Sequence, residues 1–428
     1  MDKRRYDEIV EVLENELVPA LGRTEPIAVE YAAAKAREVL GKLPTSMVAE
    51  CSGNIIKNVM GVIVPNSGGN RGVAIAAILG AIAGDASAKL SVLESVRPAH
   101  IAEAKRMEAT GFCRCILAEN VDNLYVCIHA AAGEDNAEVV IAGTHTNIVR
   151  VCRNNEVIFD TQKAEDRSGK TRKISSLSEI IEFAETARLD DIRALLDRQI
   201  RCNTEISEEG LKGRYGASIG KTLIRNGNAD LSSRIKGKVA AGSDARMSGC
   251  SMPVVINSGS GNQGMAVSLP VIEYANECML PKESLYRALL VSNLVSIYIK
   301  KKIGSLSAFC GASSAAAAAG AAIGYLKGWT ERQIEEVVES TLVNVGGLIC
   351  DGAKSTCAAK LATALDAMLT AIEMMEAGNH FGEKEGLKGA CAEETVCNVC
   401  YVGRNGMSET DRNVLRIMTG EIVTQSHC

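Results

Sequence analysis

The stretch Gly311-Ala312-Ser313-Ser314-Ala315-Ala316-Ala317-Ala318-Ala319-Gly320-Ala321-Ala322-Ile323-Gly324-Tyr325 decides how the chain is read. It falls short of the ~18–20 apolar residues of a membrane span, and Ala and Gly partition weakly into lipid. A second apolar run, Val73–Gly84, meets the same limit. Both read as buried helices, and the simple run 315–319 fits a helix packed on all sides. The whole composition agrees with close helix packing. Of 428 residues 39 are Gly, while Trp, Phe and Tyr number only 1, 5 and 9. Cores must therefore come from small and aliphatic side chains.

Apolar residues make up 46% and charged residues 23%, which excludes a wholly disordered chain. At ~100–200 residues per domain the length allows two or three domains or one large one. Lys plus Arg number 47 against 52 Asp plus Glu, for a net charge of −5. No basic field exists to hold a nucleic acid or an anionic membrane surface. Fifteen cysteines are too sparse for a disulfide scaffold in so long a chain. The start, Met1-Asp2-Lys3-Arg4-Arg5, runs into an amphipathic pattern instead of a signal peptide's apolar core. The expectation is a cytoplasmic protein whose reduced thiols are small buried hydrophobes or metal and cluster ligands.

Outward from the Ala-rich helix, nearly everything after Ser176 has helical periodicity. Helices are expected near 180–186, 190–199, 207–225, 266–275, 283–300, 312–326, 331–343, 358–376 and 409–418. Between Met47 and Phe159 the texture changes. Short β-rich runs at 58–64, 113–117, 124–129, 138–141, 148–152 and 157–159 are separated by turn residues, with helices at 72–83 and 99–109. Residues 160–172 read as a charged linker. At the start, Ile9, Leu13 and Leu17 mark one helix, and Thr24 looks like the N-cap of a second one reaching Leu40. The expected fold class is α+β: a large all-α domain with a smaller inserted α/β domain of mostly antiparallel sheet. Residues 1–42 would pack with the C-terminal helices, 43–167 would form the insertion, and 168–428 the all-α part.

The most unusual motif is Asn257-Ser258-Gly259-Ser260-Gly261-Asn262-Gln263-Gly264, just ahead of a helix. Successive N–H groups of such a loop form an anion-binding concavity, and the helix N-terminus adds a favourable dipole. Ser258, Ser260, Asn262 and Gln263, with the backbone at Gly259 and Gly261, could orient a carboxylate and an amino group. An ordinary turn would not need so many polar residues. The Walker lysine is absent. Asn66–Gly72 is a second polar, Gly-rich helix opening. Asp244 and Arg246, in Ser243–Met247, read as an ion pair bracing the loop or as a substrate contact.

Cys310 stands before the Ala-rich helix, and Cys350 and Cys357 flank a Gly-containing turn. Helix ends and tight turns are good places to converge thiolates, although this spacing matches no compact ferredoxin or zinc-finger pattern. Cys391, Cys397 and Cys400 form a rival group with one Cys-x-x-Cys. Cys113 and Cys115 alternate on one strand face and read as packing. His145, after a strand, reads as structural or as part of a site.

These stretches, with Gly22-Arg23-Thr24-Glu25-Pro26, Gly143–Ile148 and Phe309-Cys310-Gly311, resemble the iron–sulfur L-cysteine desulfidases over nearly the whole chain. More distantly they resemble the α part of the iron–sulfur L-serine dehydratases. The resemblance implies a [4Fe–4S] cluster on Cys310, Cys350 and Cys357, with one iron open to substrate and no pyridoxal phosphate. It implies β-elimination from a small amino acid, giving pyruvate and ammonia with sulfide or water as the leaving group. The substrate is thus a small molecule, and assembly of identical subunits stays open. One position departs from the pattern. Arg23 stands where the family has the cysteine thought to be the base, and an arginine keeps its proton. Cys51 and His145 are the alternative bases on chemistry. Three readings follow: a desulfidase-like lyase with altered substrate, a serine dehydratase-like lyase, or a ligand-binding relative without catalysis.

Overall fold

Asp2 starts the first helix by accepting from the Arg5 amide at 2.8 Å. The computed structural model describes residues 1–21, 24–161, 174–225, 229–304 and 307–419. The order is α1 (Lys3–Glu16), β1 (Pro19–Leu21), α2 (Thr24–Leu40), β2 (Ser46–Cys51), α3 (Gly53–Met60), α4 (Val73–Ala83) and α5 (Pro98–Ala109). Five strands follow: β3 (Cys113–Leu117), β4 (Tyr125–Ala132), β5 (Asp135–Ala142), β6 (Ile148–Arg153) and β7 (Glu156–Asp160). Then come α6 (Leu177–Thr186), α7 (Leu189–Lys212), α8 (Ile219–Leu223), α9 (Leu231–Met247), β8 (Pro253–Val255) and α10 (Gly261–Glu277). The chain continues through α11 (Lys282–Ile303), α12 (Gly311–Leu326), α13 (Glu331–Val345), α14 (Thr356–Glu376), α15 (Ala392–Tyr401) and α16 (Ser408–Met418).

The protein is α+β. Six strands form one sheet in the order β3-β2-β4-β5-β6-β7, antiparallel except for the parallel pair β2–β3. The Ala-rich helix α12 is buried from Ala312 to Gly324 and packs against α10, α11, α13 and α14. Side chains this small bring helix axes close, so a core poor in aromatics still fills its volume. Among the described residues no helix is long and apolar enough to cross a membrane.

The described residues form two large hydrophobic cores. One joins α1 with α6, α7 and α9 to α15, through Ile9, Leu13 and Leu17. The other lies between the sheet and α2 with α4, through Ile27, Val29, Ile75, Val126, Ile128 and Val139. The expectation that both opening helices pack with the C-terminal helices is corrected here for α2. Its buried residues include Ala28, Ala32, Ala33, Ala34 and Ala36, which suits the close approach of α4: a Cβ on Gly80 would lie 2.3 Å from the Glu30 carbonyl oxygen. Residues 58–64, read as a strand, instead end helix α3, capped by Ser52 and carrying Ile55, Ile56 and Val59 on its buried side. The two helices expected at 190–199 and 207–225 are largely one, α7, because buried Gln199, Asn203 and Ser207 continue its inner face as hydrogen-bonded polar groups. Helix α9 has little apolar periodicity because Gly, Ala, Ser, Asp and Arg fill most of its buried face, with only Ile235, Val239 and Met247 as large apolar residues. The expected linker lies, beyond Thr161, outside the described residues.

Glu30 is fully buried in α2, and neither carboxylate oxygen has a hydrogen-bond partner among the described residues. Burial holds its carboxyl well above the ordinary 4.5. The folded state then keeps a proton that the unfolded state releases, so this contribution is present below about 4.5 and is lost as pH rises. Glu30→Gln should flatten the pH dependence of unfolding between pH 5 and 8, where the wild-type slope from this residue is at most about 1.4 kcal/mol per pH unit. Equal slopes for the two proteins in denaturant titrations would contradict the assignment.

Candidate active site

Strands β1 and β8 pair antiparallel, with Pro19 opposite Val255, and Ile256 N–H donates to the Val18 carbonyl at 3.0 Å. This pairing brings the start of α2 to the Gly-rich loop, where Thr24 Oγ1 donates to the Gly259 carbonyl at 2.9 Å. The loop itself turns through positive φ at Ser258 and Gly259, at 51° and 77°. Helix α10 begins at Gly261, with Ser260 as its N-cap accepting from the Gln263 amide. The first turn of α10 therefore carries half of the motif, and its N–H groups face the loop's end.

Close backbone approaches fix this turn. A Cβ on Gly264 would lie 2.0 Å from the Val255 carbonyl oxygen, and one on Gly261 would lie 2.5 Å from Arg246 Nε. Asn203 of α7 fastens the same junction: its Oδ1 accepts from Val255 N–H at 2.9 Å, and its Nδ2 donates to the Gly264 carbonyl at 3.1 Å. Asp244 and Arg246 lie on α9 and have separate partners. Asp244 accepts from Gly220 N–H at 3.0 Å, and Arg246 donates to Asn262 Oδ1 at 3.1 Å. Burial pushes the Asp244 carboxyl up to about 6.

Phe309 and Ile349 form an isolated antiparallel bridge. Around it Cys310 N–H donates to the Leu348 carbonyl at 3.0 Å and Cys350 N–H to the Ala308 carbonyl at 2.6 Å. Strand alternation turns the residues next to a bridged pair to the same side, so both thiols leave the bridge together. The neighbouring Cys350 thiol and burial hold the Cys310 thiol well above its ordinary value. Cys357, in the first turn of α14, points its Sγ back to the Gly352 carbonyl at 3.7 Å. Gly352 has φ +90°, and a Cβ there would lie 2.4 Å from the Lys57 carbonyl oxygen.

Loop and thiols share one cavity of about 610 Å³. Ser258, Gly259, Ser260, Asn262 and Gln263 line it, as do Cys310, Cys350 and Cys357. Gly261 is buried behind the wall against Arg246. Gln263 links the two halves, for a Cβ on Gly311 would lie 1.9 Å from Gln263 Oε1. His145 enters from the β5–β6 connection and meets the loop, 3.1 Å from the place of a Cβ on Gly259. Cys51 does not reach the cavity; it is buried in the sheet core, where a hydrogen bond with Cys115 and burial raise its thiol. Arg23 lies outside the described residues, between Leu21 and Thr24.

Glu25, from the Gly22–Pro26 motif, also lines the cavity, as do Glu16, Asn58 and Lys300, which were not singled out in the sequence. Lys300 sits in the run Lys300-Lys301-Lys302, which reads as a solvated helix end; only burial distinguishes it. That burial lowers its amine, while the Cys350 and Cys310 thiols act to raise it. Lys57 donates to the Cys350 carbonyl at 3.2 Å and pairs with Asp411, and Lys360 donates to the Ile349 carbonyl at 2.8 Å. Three soft thiols backed by lysines make a donor set suited to a thiolate-ligated cluster of net negative charge. The rival thiols lie elsewhere: Cys397 accepts from Lys302, and Cys400 is buried with its thiol pushed up to about 12. The Asn66–Gly72 turn closes on itself, Ser67 Oγ accepting from Asn70 N–H at 3.0 Å.

A model of the serine dehydratase alpha chain family matches residues 87–416. The chain belongs to that family. A UPF0597 protein of Lachnoclostridium phytofermentans is 45% identical over 96% of this chain and 99% of its own length. One from Finegoldia magna is 46% identical over 95% and 98%, and one from Desulfitobacterium hafniense is 43% identical over 98% of both chains. The loop and all three cavity thiols fall inside the family match.

The fit of α10 on β8 is tested by two glycines. Gly264→Ala should lower unfolding free energy by about 2 kcal/mol or more, because a backbone oxygen cannot yield as a side chain can. Gly347→Ala, with nothing within 4 Å of the new Cβ, should change it little. Denaturant unfolding of both variants measures the contrast.

Proposed function

We propose that this serine dehydratase alpha chain relative is a β-eliminating ammonia-lyase for a small amino acid, L-cysteine desulfidase-like, with a [4Fe–4S] cluster on Cys310, Cys350 and Cys357. The observation that carries the reading is the shared cavity: an anion-binding loop at the start of α10 faces three convergent thiols. The bound cluster supplies a Lewis-acidic iron to the leaving group. The chain's own residues do the rest. The α10 N-terminus with Ser260 and Asn262, and the Lys300 ammonium, hold the substrate carboxylate. Glu16 faces the substrate ammonium. His145 takes the α-proton as the Cβ bond to sulfur or oxygen breaks, and the enamine product tautomerises to an imine that water hydrolyses to pyruvate and ammonia. Reduced thiols place the protein in the cytosol in this reading.

Arg23 keeps its proton and leaves the base role to His145. Its guanidinium favours a substrate with a further carboxylate, which it can grip bidentately. Activity on L-cysteine should then be low. The family match favours a second substrate, L-serine, with water leaving in place of sulfide.

Anaerobic protein reconstituted with iron and sulfide, assayed for pyruvate with L-cysteine and L-serine, tests the proposal. Cys357→Ser should lose both iron and turnover. His145→Gln should keep its iron and lose about 10²–10⁴-fold in kcat. Arg23→Cys should gain cysteine breakdown. Full iron content in Cys357→Ser would overturn the ligand set, and unchanged kcat in His145→Gln would overturn the base.

A further inference from the structure

The face of the sheet turned away from α2 carries a second group of ligand-type side chains. Val126, Ile128 and Ala130 of β4 lie in the core under α2, so Cys127 and His129 emerge on the opposite face. Strand register then aligns their neighbours. Glu50 of β2 stands opposite Cys127, Glu138 of β5 opposite His129, and Cys152 of β6 opposite Glu138. The residues come from strands already locked by backbone pairing, so the group is held by the sheet and not by a loop.

The distances are those of ligands around an ion. His129 Nε2 lies 3.3 Å from Cys127 Sγ and 3.6 Å from Glu50 Oε2. One donor atom from each of the three residues lies within 4.8 Å of the others. With zinc bonds of ~2.0–2.3 Å in a tetrahedron, neighbouring donor atoms are about 3.3–3.6 Å apart. The His129–Glu50 separation is too long for a direct hydrogen bond. The other ring nitrogen, Nδ1, faces Glu138 Oε2 at 3.6 Å, and Glu138 is itself held by Arg150 Nε at 3.1 Å. Glu138 is thus beyond direct hydrogen-bond distance as the ring stands, but it sits beside the far nitrogen, where a carboxylate orients a metal-binding imidazole once the ring turns to the ion.

Two carboxylates, Glu50 and Glu138, flank the Cys127 thiol and the His129 ring, one from each neighbouring strand. The side chains of His129 and Glu50 are 44% and 34% exposed, which leaves a path for an ion and room for a water ligand. None of the three lines the cavity of the thiol triad.

We propose that Glu50, Cys127 and His129 form a second metal site, for zinc or a similar divalent ion, with Glu138 as the positioning residue for His129. Thiolate, imidazole and carboxylate together suit a borderline ion better than calcium or magnesium. Bound there, the ion bridges β2 and β4 on the face that α2 does not cover.

Cobalt(II) is the probe, because its thiolate charge-transfer band reports cysteine ligation and its visible bands report coordination number. The chelator-treated full chain is titrated with cobalt under anaerobic conditions, and bound metal is counted after dialysis. Wild type should bind one cobalt more per chain than Cys127→Ser, with loss of a thiolate band. His129→Gln and Glu50→Gln, at partly exposed positions, should lose or weaken the same ion. Glu138→Gln should retain the stoichiometry and bind about 10–100-fold more weakly. Cys310→Ser reports the cavity thiols independently and should leave the sheet ion in place. Equal cobalt content and affinity in wild type, Cys127→Ser and His129→Gln would overturn the site. So would loss of all bound cobalt in Cys310→Ser.

Discussion

Contact between backbones with no side chain interposed is the constraint on which this structure depends. Helix α10 can start where it does only because Gly264 lets it lie on the carbonyl of Val255, and Asn203 fastens both partners from α7. From that junction the rest is placed in sequence. Strand β8 pairs with β1, which brings Thr24 to the Gly259 carbonyl. Gly261 admits Arg246, which in turn holds Asn262. Gly311 admits Gln263, which ties the loop to the helix that follows Cys310. Small residues are thus a requirement of the cavity as much as of the core.

Charge follows the same geometry. Three thiols that would each be costly to ionise in isolation are collected beside Lys57, Lys300 and Lys360, whose amines are drawn from α3, α11 and α14. Lys57 is buried and paired with Asp411, so α16 is locked to the turn that carries Cys350. Removing Asp411 would strand the buried Lys57 ammonium, at a cost of about 3–5 kcal/mol. The outer face of the sheet shows the complementary case, with a thiol and two carboxylates gathered around His129.

The two groups differ in how they are built. The triad joins Cys310 to the turn that carries Cys350 and Cys357, through one β-bridge and one helix end. The sheet group comes from strand alternation and register, so its members are neighbours by pairing. Pairing could have been anticipated only with the strand order in hand. Strand β2 was not singled out by its composition, and without it Glu50 has no partner.

By itself the sequence determined the α+β class, the buried Ala-rich helix and the positions of β3 to β7, because period and turn chemistry are local. It also marked the loop at Ser258–Gln263 as unusual, since glycine and polar residues at a helix start have few structural uses; the three cysteines were set apart from their rivals by the family resemblance and not by their spacing. Only the tertiary structure decided that α2 serves the sheet, that residues 58–64 include a helix end, and that α7 is continuous. For α2 and α7 small or polar residues occupy much of the inner face, and for α3 the β-branched Ile55, Ile56 and Val59 suit either period; in each case burial depends on partners remote in sequence. The cavity belongs to the same class. Lys300 looks like a solvated end of a helix until α11 is packed, and His145 has no neighbour of interest until β8 and α10 bring Gly259 to it. Convergence of distant residues is a property of packing, and no local pattern encodes it.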